Sequence, residues 1–498
     1  MKRREFIRKS ILGASGTLVA KLMAMALPGH DSLLEQPFRN FDSRIPSSRG
    51  LKVSTNRRFL CHAKTGLPFC LLADTAWNLN ALSYEEIDLY LRDRSSHGFN
   101  AFMFCLNFSP QAAATNPYGE RAYIGADNTE LNPRYFEYCD YILRTAARYG
   151  LYGMVYAMWA GQKSGTMNTY STEQLHSIGL RVGARLKEHD NVILVAGGES
   201  SPPYIDPRFV DAMGSGLKAG CDGKHLVTVH PCGHSSCSQF YSGSPWLDFY
   251  MIQGSSGRRG FDYDMTALVT QDYNCKIVRP TMVAENYYES GTTRPPAEQR
   301  RSLYLSVFAG AFGYAYGHNA LWQMAPHAAE KWMLDGWPPG VSTWKEALDT
   351  PAVQQLHYIR NLLYSRPFFT RIPDQSLIVS GQGQSIADRI QATRDGSYGH
   401  DNATYIMAYL AAPVSFALNT EAIASERLNA WWFTPATGRS EPIRTNFANS
   451  GKLSLEKKPG EPDAVVVIDS AVRHYPQPGY RSMDRVIMAR GIRCCRES

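Results

Sequence analysis

Eight short apolar runs alternate with longer segments over residues 69–316, and this alternation limits the possible fold more than any other feature of the sequence. The runs cover residues 69–73, 101–108, 151–157, 191–196, 225–230, 247–252, 278–284 and 312–316. Eight β-then-α units in succession predict an α/β protein with a (β/α)8 TIM barrel. A doubly wound open sheet is the alternative, but such a sheet is normally complete at roughly five to seven strands.

The segments between the runs begin at residues that are typical of helix starts. Capping boxes, in which two side chains and two backbone N–H groups bond reciprocally, are predicted at Ser83 with Glu86 and at Ser171 with Gln174. Two further helices are predicted to open on the pairs Asn132-Pro133 and Asp206-Pro207. These signals support helices between the strands.

The texture of the sequence changes after Pro367. Helical periodicity disappears, and strand-like runs cover residues 376–380, 386–393, 403–410, 429–433 and 464–468. Turn signals such as Thr437-Gly438 separate them. We therefore predict a barrel over residues 51–366 and a small all-β sandwich over residues 367–472.

The first residues have the pattern of an export signal. Residues 3–9 read RREFIRK, which fits a twin-arginine signal, and an apolar stretch of residues 11–26 follows. That stretch contains Lys21 and is shorter than the roughly 20 residues of a membrane span. We expect a signal peptide over residues 1–26, a linker over 27–50 and a periplasmic or secreted bacterial protein. The alternative is a basic amphipathic helix.

The formal net charge of +7 is concentrated at the two ends of the chain. Residues 1–26 hold six basic side chains against one acidic, and the predicted basic tail of residues 473–498 holds six Arg against two acidic side chains. The body between them is slightly acidic. A nucleic-acid binder needs basic residues across its folded face, so nucleic acid is disfavoured as a partner.

The predicted barrel places its candidate site at the carboxyl ends of the strands, where active sites of this fold lie. Polar or aromatic side chains follow every predicted strand at that end. They are Asp74, Trp77, Asn107, Trp159, Glu199, His230, Gln253, Glu285, Tyr287, Tyr316, His318 and Trp322. Ionisable groups interleaved with flat aromatic faces are what a sugar-cleaving cleft needs.

Two carboxylates in this set are the candidate catalytic groups. Glycoside hydrolysis uses one carboxylic acid to protonate the leaving oxygen and a second carboxylate to act at the anomeric carbon. Glu199 follows the fourth strand and Glu285 ends the seventh, so the two lie almost opposite each other across the barrel mouth. Glu289 competes with Glu285, although its distance from the strand favours an orienting role. A purely structural ion pair is the alternative for either residue.

A compact group of possible metal ligands lies after the fifth strand. His230, Cys232, His234 and Cys237 fall within eight residues, but they lack the paired halves of a zinc finger. We favour a strand-end loop with one substrate-binding histidine, and we predict no metal and no other cofactor. A metal-dependent hydrolase that uses this loop is the alternative.

Seven groups of residues follow one another in a family-like order between about residue 57 and residue 323. They are Gly66-Leu67-Pro68-Phe69, Leu72-Ala73-Asp74-Thr75-Ala76-Trp77, Gly98-Phe99-Asn100, Gly197-Gly198-Glu199, His230-Pro231, Glu285 with Tyr288-Glu289, and Tyr316-Gly317-His318-Asn319-Ala320-Leu321-Trp322. In these motifs the chain resembles the apiosidase-like barrels of glycoside hydrolase family 140. The later segment 430–438 is similar to the collagen-binding-type β-domain that follows such barrels. The resemblance implies a retaining glycosidase with the acid/base after strand four and the nucleophile after strand seven.

These positions coincide with Glu199 and Glu285, with one departure from the family pattern. Members usually carry Gly-Gly-Asp where this chain has Gly197-Gly198-Glu199, and a shift of about an ångström can cost about 100-fold in rate. The sequence and the resemblance together predict an exported retaining glycoside hydrolase that acts on a polysaccharide or oligosaccharide. Apiosides are one candidate class of substrate. A non-catalytic carbohydrate- or matrix-binding protein on a degenerate barrel is the alternative.

Overall fold

The computed structural model describes residues 50–107, 115–160, 167–254, 264–289, 296–326, 342–456, 458 and 460–480. The predicted signal peptide, the predicted linker up to residue 49 and the tail from residue 481 lie outside the described residues. In the part of the chain that is described, no helix is long and apolar enough to cross a membrane.

All eight predicted barrel strands are present, and they form one parallel sheet. They are β1 (Leu71–Thr75), β2 (Ala101–Cys105), β3 (Tyr152–Tyr156), β4 (Val192–Val195), β5 (Val227–Thr228), β6 (Tyr250–Gln253), β7 (Thr281–Glu285) and β8 (Gly313–His318). Their order is β5-β4-β3-β2-β1-β8-β7-β6. The two ends meet, because Asp248 N donates to Val227 O over 2.9 Å just before β6. The (β/α)8 barrel is confirmed.

Helices follow the strands, as the sequence predicts. They are α1 (Tyr84–Ser96), α2 (Pro133–Arg148), α3 (Thr172–Leu186), α4 (Pro207–Gly220), α5 (Ser238–Tyr241), α6 (Met265–Tyr273), α7 (Pro296–Phe308), α8 (Asn319–Gln323), α9 (Pro351–Leu356) and α10 (Tyr358–Tyr364). Both predicted capping boxes are confirmed, at the starts of α1 and α3. Asn132 and Asp206 cap α2 and α4, each followed by proline.

A bulge at Ala284 sets the direction of the last side chain of β7. Val283 pairs with the third residue of β6 and Glu285 with the fourth, Gln253, so Ala284 is an extra residue. Val283 also pairs with Tyr314 of β8, whose hydroxyl donates to a side chain of α7. Val283 therefore faces the helices. Because an extra residue shifts the alternation of side chains, Glu285 turns toward the barrel interior.

The C-terminal region is an all-β domain, which confirms the second part of the fold prediction. Its strands are β9 (Ile372–Pro373), β10 (Ile378–Ser380), β11 (Ile390–Arg394), β12 (Tyr405–Leu410), β13 (Phe416–Asn419), β14 (Arg427–Thr434), β15 (Arg439–Ala448), β16 (Lys452–Leu455) and β17 (Ala464–Ser470). A six-stranded sheet has the order β9-β11-β12-β17-β14-β15, and a three-stranded sheet has the order β10-β13-β16.

Several shorter strands accompany the barrel and the β-domain. Leu51–Val53, Leu60–His62 and Pro68–Phe69 form an antiparallel sheet ahead of β1. Two-residue strands occur at Tyr123–Ile124, Glu130–Leu131, Ser235–Ser236 and Tyr288–Glu289. The last of these pairs with β8 just beyond the end of β7.

The barrel and the β-domain share one hydrophobic core. Side chains of β12, β14 and β17, including Tyr409 and Phe433, belong to the same buried cluster as the barrel. Trp431 packs against that cluster, whereas the adjacent Trp432 packs inside the β-domain. A buried ion pair adds to the contact, since Arg300 Nη2 of α7 lies 2.7 Å from Asp463 Oδ1. Apolar burial of this kind is the main stabilising term in domain association.

Candidate active site

Glu285 lies at the carboxyl end of β7 and is almost completely buried, with 3% of its surface exposed. Its Oε2 lies 3.3 Å from Nε2 of His230. The Tyr288 hydroxyl donates a hydrogen bond to the Glu285 carboxylate, and burial together with this negative charge raises the pKa of Tyr288 well above its usual value. Tyr288 therefore stays protonated and available as a donor.

His230 is held from the other side by Tyr156. The Tyr156 hydroxyl, on the last residue of β3, lies 2.9 Å from His230 Nδ1. The backbone N–H of His230 donates to Gly197 O, and its carbonyl accepts from Ser200 N. These bonds tie the segment after β5 to the segment after β4. A fixed partner on one ring nitrogen sets the tautomer and aims the other nitrogen at its target.

Two tryptophans line the same space. The Trp77 ring centroid lies 5.0 Å from that of Tyr156, 5.2 Å from that of Trp159 and 5.5 Å from that of His230. Trp77 Nε1 also donates to the Tyr288 hydroxyl over 3.0 Å. Tyr288 thus accepts from Trp77 while it donates to Glu285, so the aromatic group and the carboxylate form one hydrogen-bonded unit.

Glu199 lies four residues beyond the end of β4, at the rim between the segments that carry Trp159 and His230. Gly198 forms a parallel bridge with Trp159, and a Cβ at Gly198 would fall 2.1 Å from the indole ring. Only glycine permits this approach. Glu199 is half-buried and has a left-handed backbone with φ of 47°. Such backbone is costly for a residue with a side chain and is often found at functional sites.

Cys232 closes the space on the far side of Glu199. Its Sγ lies 2.9 Å from the Glu199 carbonyl oxygen. Burial, with a smaller contribution from the charge of Glu199, raises the pKa of Cys232 to about 11. A thiol with a raised pKa is largely protonated near pH 7 and is a weak nucleophile.

The structure places Asp74 and Tyr316 away from the residues around Glu285. Both are inside strands and pair with each other across β1 and β8, so their side chains share the face that packs on the helices. Asp74 Oδ2 accepts from Tyr90 and from Arg94 of α1, and burial raises its pKa. The Tyr316 hydroxyl donates to Glu289 over 2.8 Å.

The other predicted residues differ in their burial and in their hydrogen-bond partners. Gln253 is fully buried beside Glu285. Asn107 is half-buried, and its carbonyl accepts from Trp159 N over 3.2 Å. Tyr287 is buried, and its carbonyl accepts from Gln299 of α7 over 2.7 Å. Further along, Trp322 on α8 accepts from Asn78 N at its carbonyl, and burial lowers the pKa of His318 to about 4.

Tyr156 and Tyr288 contact His230 and Glu285 but were not among the predicted site residues, whereas Tyr287 was. Tyr156 sits inside an apolar run, where a buried tyrosine looks like core. Its position in the strand is the feature that could have revealed it. Tyr156 is the fifth and last residue of β3, and an inward-facing side chain at that carboxyl end faces the barrel mouth. Tyr288 was visible in the family motif, but the choice between neighbouring tyrosines depends on backbone direction after the bulge.

The candidate metal loop does not converge on one point. Cys232 contacts Glu199, Cys237 accepts a hydrogen bond from Met251 N over 3.2 Å, and His230 faces Glu285. Across the described ranges, no group of three or more His, Cys, Asp and Glu side chains is arranged to hold a metal ion. The described cysteines are all free thiols.

A buried carboxylate between a histidine and a tyrosine hydroxyl, walled by indole rings, suits attack on a sugar carbon. The hydrogen bond from Tyr288 and the close approach of His230 fix the surroundings of the Glu285 carboxylate, and its low exposure keeps bulk water away. Preorganised groups of this kind provide most of the stabilisation of charged transition states. Trp77 is buried whereas Trp159 is half-buried, so Trp159 is the indole of the two that a sugar ring could contact.

Comparisons with known proteins agree with this reading. Residues 54–370 match the family model "Apiosidase-like, catalytic domain", and residues 372–469 match "Putative collagen-binding domain of a collagenase". No curated protein matches the chain. A solved structure described as "Glycoside hydrolase" is 29% identical with a TM-score of 0.73, covering 86% of this chain and 98% of its own.

A second solved structure, a glycoside hydrolase family 5 protein from Bacteroides vulgatus ATCC 8482, is 25% identical with a TM-score of 0.77. That match covers 91% of this chain and 99% of the other. The similarity therefore extends over the barrel and the β-domain together. Because the catalytic-domain model matches more than half of the sequence, the chain belongs to the apiosidase-like family of glycoside hydrolases.

Proposed function

We propose that this glycoside hydrolase acts with retention of configuration, with Glu285 as nucleophile and Glu199 as acid/base. The observation that carries the proposal is the environment of Glu285, buried and oriented by His230 and Tyr288. A nucleophile has to be held in one geometry and kept from bulk water, whereas an acid/base has to exchange protons with solvent. The half-buried position of Glu199 at the rim suits the second role.

The reaction proceeds in two displacements. In the first, an oxygen of Glu285 bonds to the anomeric carbon, the glycosidic bond breaks, and Glu199 gives its proton to the leaving oxygen. In the second, the Glu199 carboxylate takes a proton from water while the water oxygen bonds to the anomeric carbon and releases Glu285. The substrate is a polysaccharide or oligosaccharide, with apiosides as the first candidates because of the family.

Covalent labelling tests the nucleophile. Cyclitol epoxides that mimic the common pentoses and hexoses react irreversibly with a retaining nucleophile, and peptide mass spectrometry locates the adduct. We expect the adduct on Glu285, and we expect Glu285→Gln to lose at least 10⁴-fold in kcat/KM on the best substrate. Glu289→Gln is the matched control, since Glu289 is equally buried but bonds to Tyr316 and Thr350.

The same experiment separates the proposal from the non-catalytic alternative. An adduct on another carboxylate, or unchanged turnover in Glu285→Gln, would contradict the assignment of Glu285 as the nucleophile. A folded protein that takes up no label from any epoxide and still binds glycans would support the carbohydrate-binding reading.

Leaving-group dependence tests the acid/base. A good leaving group needs no proton, so Glu199→Gln should cleave 2,4-dinitrophenyl glycosides nearly as fast as the wild type in the first step. It should lose about 100-fold or more on the natural, poor leaving group. Equal losses on both substrates would contradict the role of Glu199. Glu199→Asp, which restores the residue usual in the family, should keep part of the activity.

We further propose that the protein is exported by the twin-arginine route, on the evidence of the motif at residues 3–9. The test replaces Arg3 and Arg4 by Lys together and follows the protein in periplasmic and cytoplasmic fractions. We expect retention in the cytoplasm, whereas Lys2→Gln as control should leave export unchanged. Export of the paired-Lys variant would contradict the proposal.

A further inference from the structure

Gln253 is a fully buried amide whose two polar atoms have no hydrogen-bond partner among the described residues. It is the last residue of β6. An amide buried without partners lowers the stability of the fold relative to one whose hydrogen bonds are made. A methionine or leucine of similar volume would avoid that cost, so the amide has to be explained by something other than packing.

The Gln253 side chain faces the barrel interior. The Tyr250 hydroxyl, three residues earlier on the same strand, donates to Ile277 O in the segment between α6 and β7, so Tyr250 faces outward. Alternation then turns residue 251 inward, residue 252 outward and Gln253 inward. Since Gln253 pairs with Glu285 across the two strands, the two side chains lie next to each other on the interior face.

A ligand group that satisfies the Gln253 amide must both donate and accept a hydrogen bond. The amide offers N–H donors and a carbonyl acceptor, and neither is used by the described residues. When Glu285 bonds to the anomeric carbon, the neighbouring side chain reaches the atoms attached to that carbon. The ring oxygen accepts only and becomes partly positive in the transition state, so it does not suit the amide. The hydroxyl on the adjacent carbon donates and accepts.

We propose that Gln253 binds the sugar hydroxyl next to the anomeric carbon and restricts the enzyme to glycosides that carry a free hydroxyl there. The inference rests on the proposed function. It excludes 2-deoxy and 2-acetamido sugars as good substrates, because a site built to bond a hydroxyl is left with unpaired polar groups when the hydroxyl is missing. Hydrogen bonds to this hydroxyl strengthen in the transition state.

The test compares two substrates on the wild type and Gln253→Met. The substrates are the 4-nitrophenyl glycoside that the wild type cleaves fastest and its 2-deoxy counterpart. The ratio of the two kcat/KM values, hydroxylated over deoxy, should fall by about 100-fold or more in the variant. An unchanged ratio would overturn the inference, whatever the absolute rates.

Thermal stability gives a second readout that distinguishes substrate binding from a structural role. Gln253→Met removes an unpaired amide, so its Tm should stay the same or rise. Gln299→Met is the matched control, because buried Gln299 donates to Tyr287 O over 2.7 Å and its loss should lower the Tm. A Tm loss in Gln253→Met as large as in Gln299→Met would assign Gln253 to the architecture of the barrel instead.

The labelling of Glu285 keeps the two proposals apart. If the wild type is labelled on Glu285 and cleaves both substrates with a ratio that Gln253→Met does not alter, the assignment of Gln253 fails while the proposed function stands. If the wild type is neither labelled nor active, both fail together.

Discussion

The Tyr156 hydroxyl and His230 Nδ1 lie 2.9 Å apart, and the other ring nitrogen of His230 lies 3.3 Å from Glu285. One row of contacts therefore runs from β3 through the segment after β5 to β7. The row links the buried carboxylate at the end of β7 to the last residue of β3.

Removing the first hydroxyl of this row should weaken catalysis. A hydrogen bond that positions a side chain against a carboxylate contributes about 1–3 kcal/mol, which corresponds to about 5- to 150-fold in rate. Tyr156→Phe should therefore lower kcat/KM by that factor with the fold intact by circular dichroism. Tyr152→Phe is the control, since Tyr152 is on the same strand as Tyr156 but its hydroxyl contacts His62. Equal losses in both variants would show that the effect is structural.

Adding one methyl group at Gly198 should displace both Trp159 and Glu199. The new Cβ would fall 2.1 Å from the indole ring, and a displacement of about 1 Å at the reacting groups costs about 100-fold. We expect Gly198→Ala to lose at least that factor in kcat/KM. Gly243→Ala, at a glycine with no atom within 4 Å of its Cβ position, should keep wild-type activity. Full activity in Gly198→Ala would show that Trp159 and Glu199 adjust without cost.

Asp74 should matter for stability and not for substrate binding. Its carboxylate is fully buried against Arg94, 3.3 Å from Nη1, and breaking a buried pair by removing one charge costs about 3 kcal/mol or more. Asp74→Asn should lower the free energy of unfolding by about that amount in urea titrations. KM on the best glycoside should not change. A rise in KM with little loss of stability would return Asp74 to the sugar site.

Asp272 on α6 should make the stability depend on pH. It accepts from Ser236 and Ser238, and burial raises its pKa to about 6 from roughly 3.9 in an unfolded chain. The folded state therefore keeps a proton that the unfolded state has lost. Between about pH 4 and pH 6 the free energy of unfolding should fall as the pH rises, by up to about 3 kcal/mol from this group.

Asp272→Asn removes that titration. The difference in unfolding free energy between wild type and variant, measured from pH 4 to pH 7, should shift in favour of the variant as the pH rises. A difference that stays flat over this range would mean that Asp272 titrates normally in the folded protein.

The architecture was predictable because its signals are local. Eight apolar runs, two capping boxes and two Asx-Pro pairs fix where strands and helices form, and each was found near its expected place. The direction of single side chains was not predictable from the same signals. Asp74 was expected after the first strand, but β1 extends to Thr75. Asp74 therefore lies within the strand, and the alternation of side chains directs it toward α1.

The candidate catalytic residues show the same contrast between local signals and side-chain direction. Glu285 was found because it ends an apolar run, and its match to the family motif agrees. The inward direction of its side chain depends on the bulge at Ala284. A bulge is a register shift between two strands, so the sequence of one strand does not reveal it. The contacts of Tyr156 and Tyr288 are likewise set by the packing of strands that are far apart in sequence.

Helix α7 has a consequence for how the chain acquires activity during synthesis. Its Gln299 holds Tyr287 and its Arg300 pairs with Asp463, which lies 163 positions later. On the ribosome, Asp463 is made long after the barrel strands. The contacts of α7 are therefore complete only when nearly the whole described chain has emerged, and we expect the nascent barrel to become active late in synthesis.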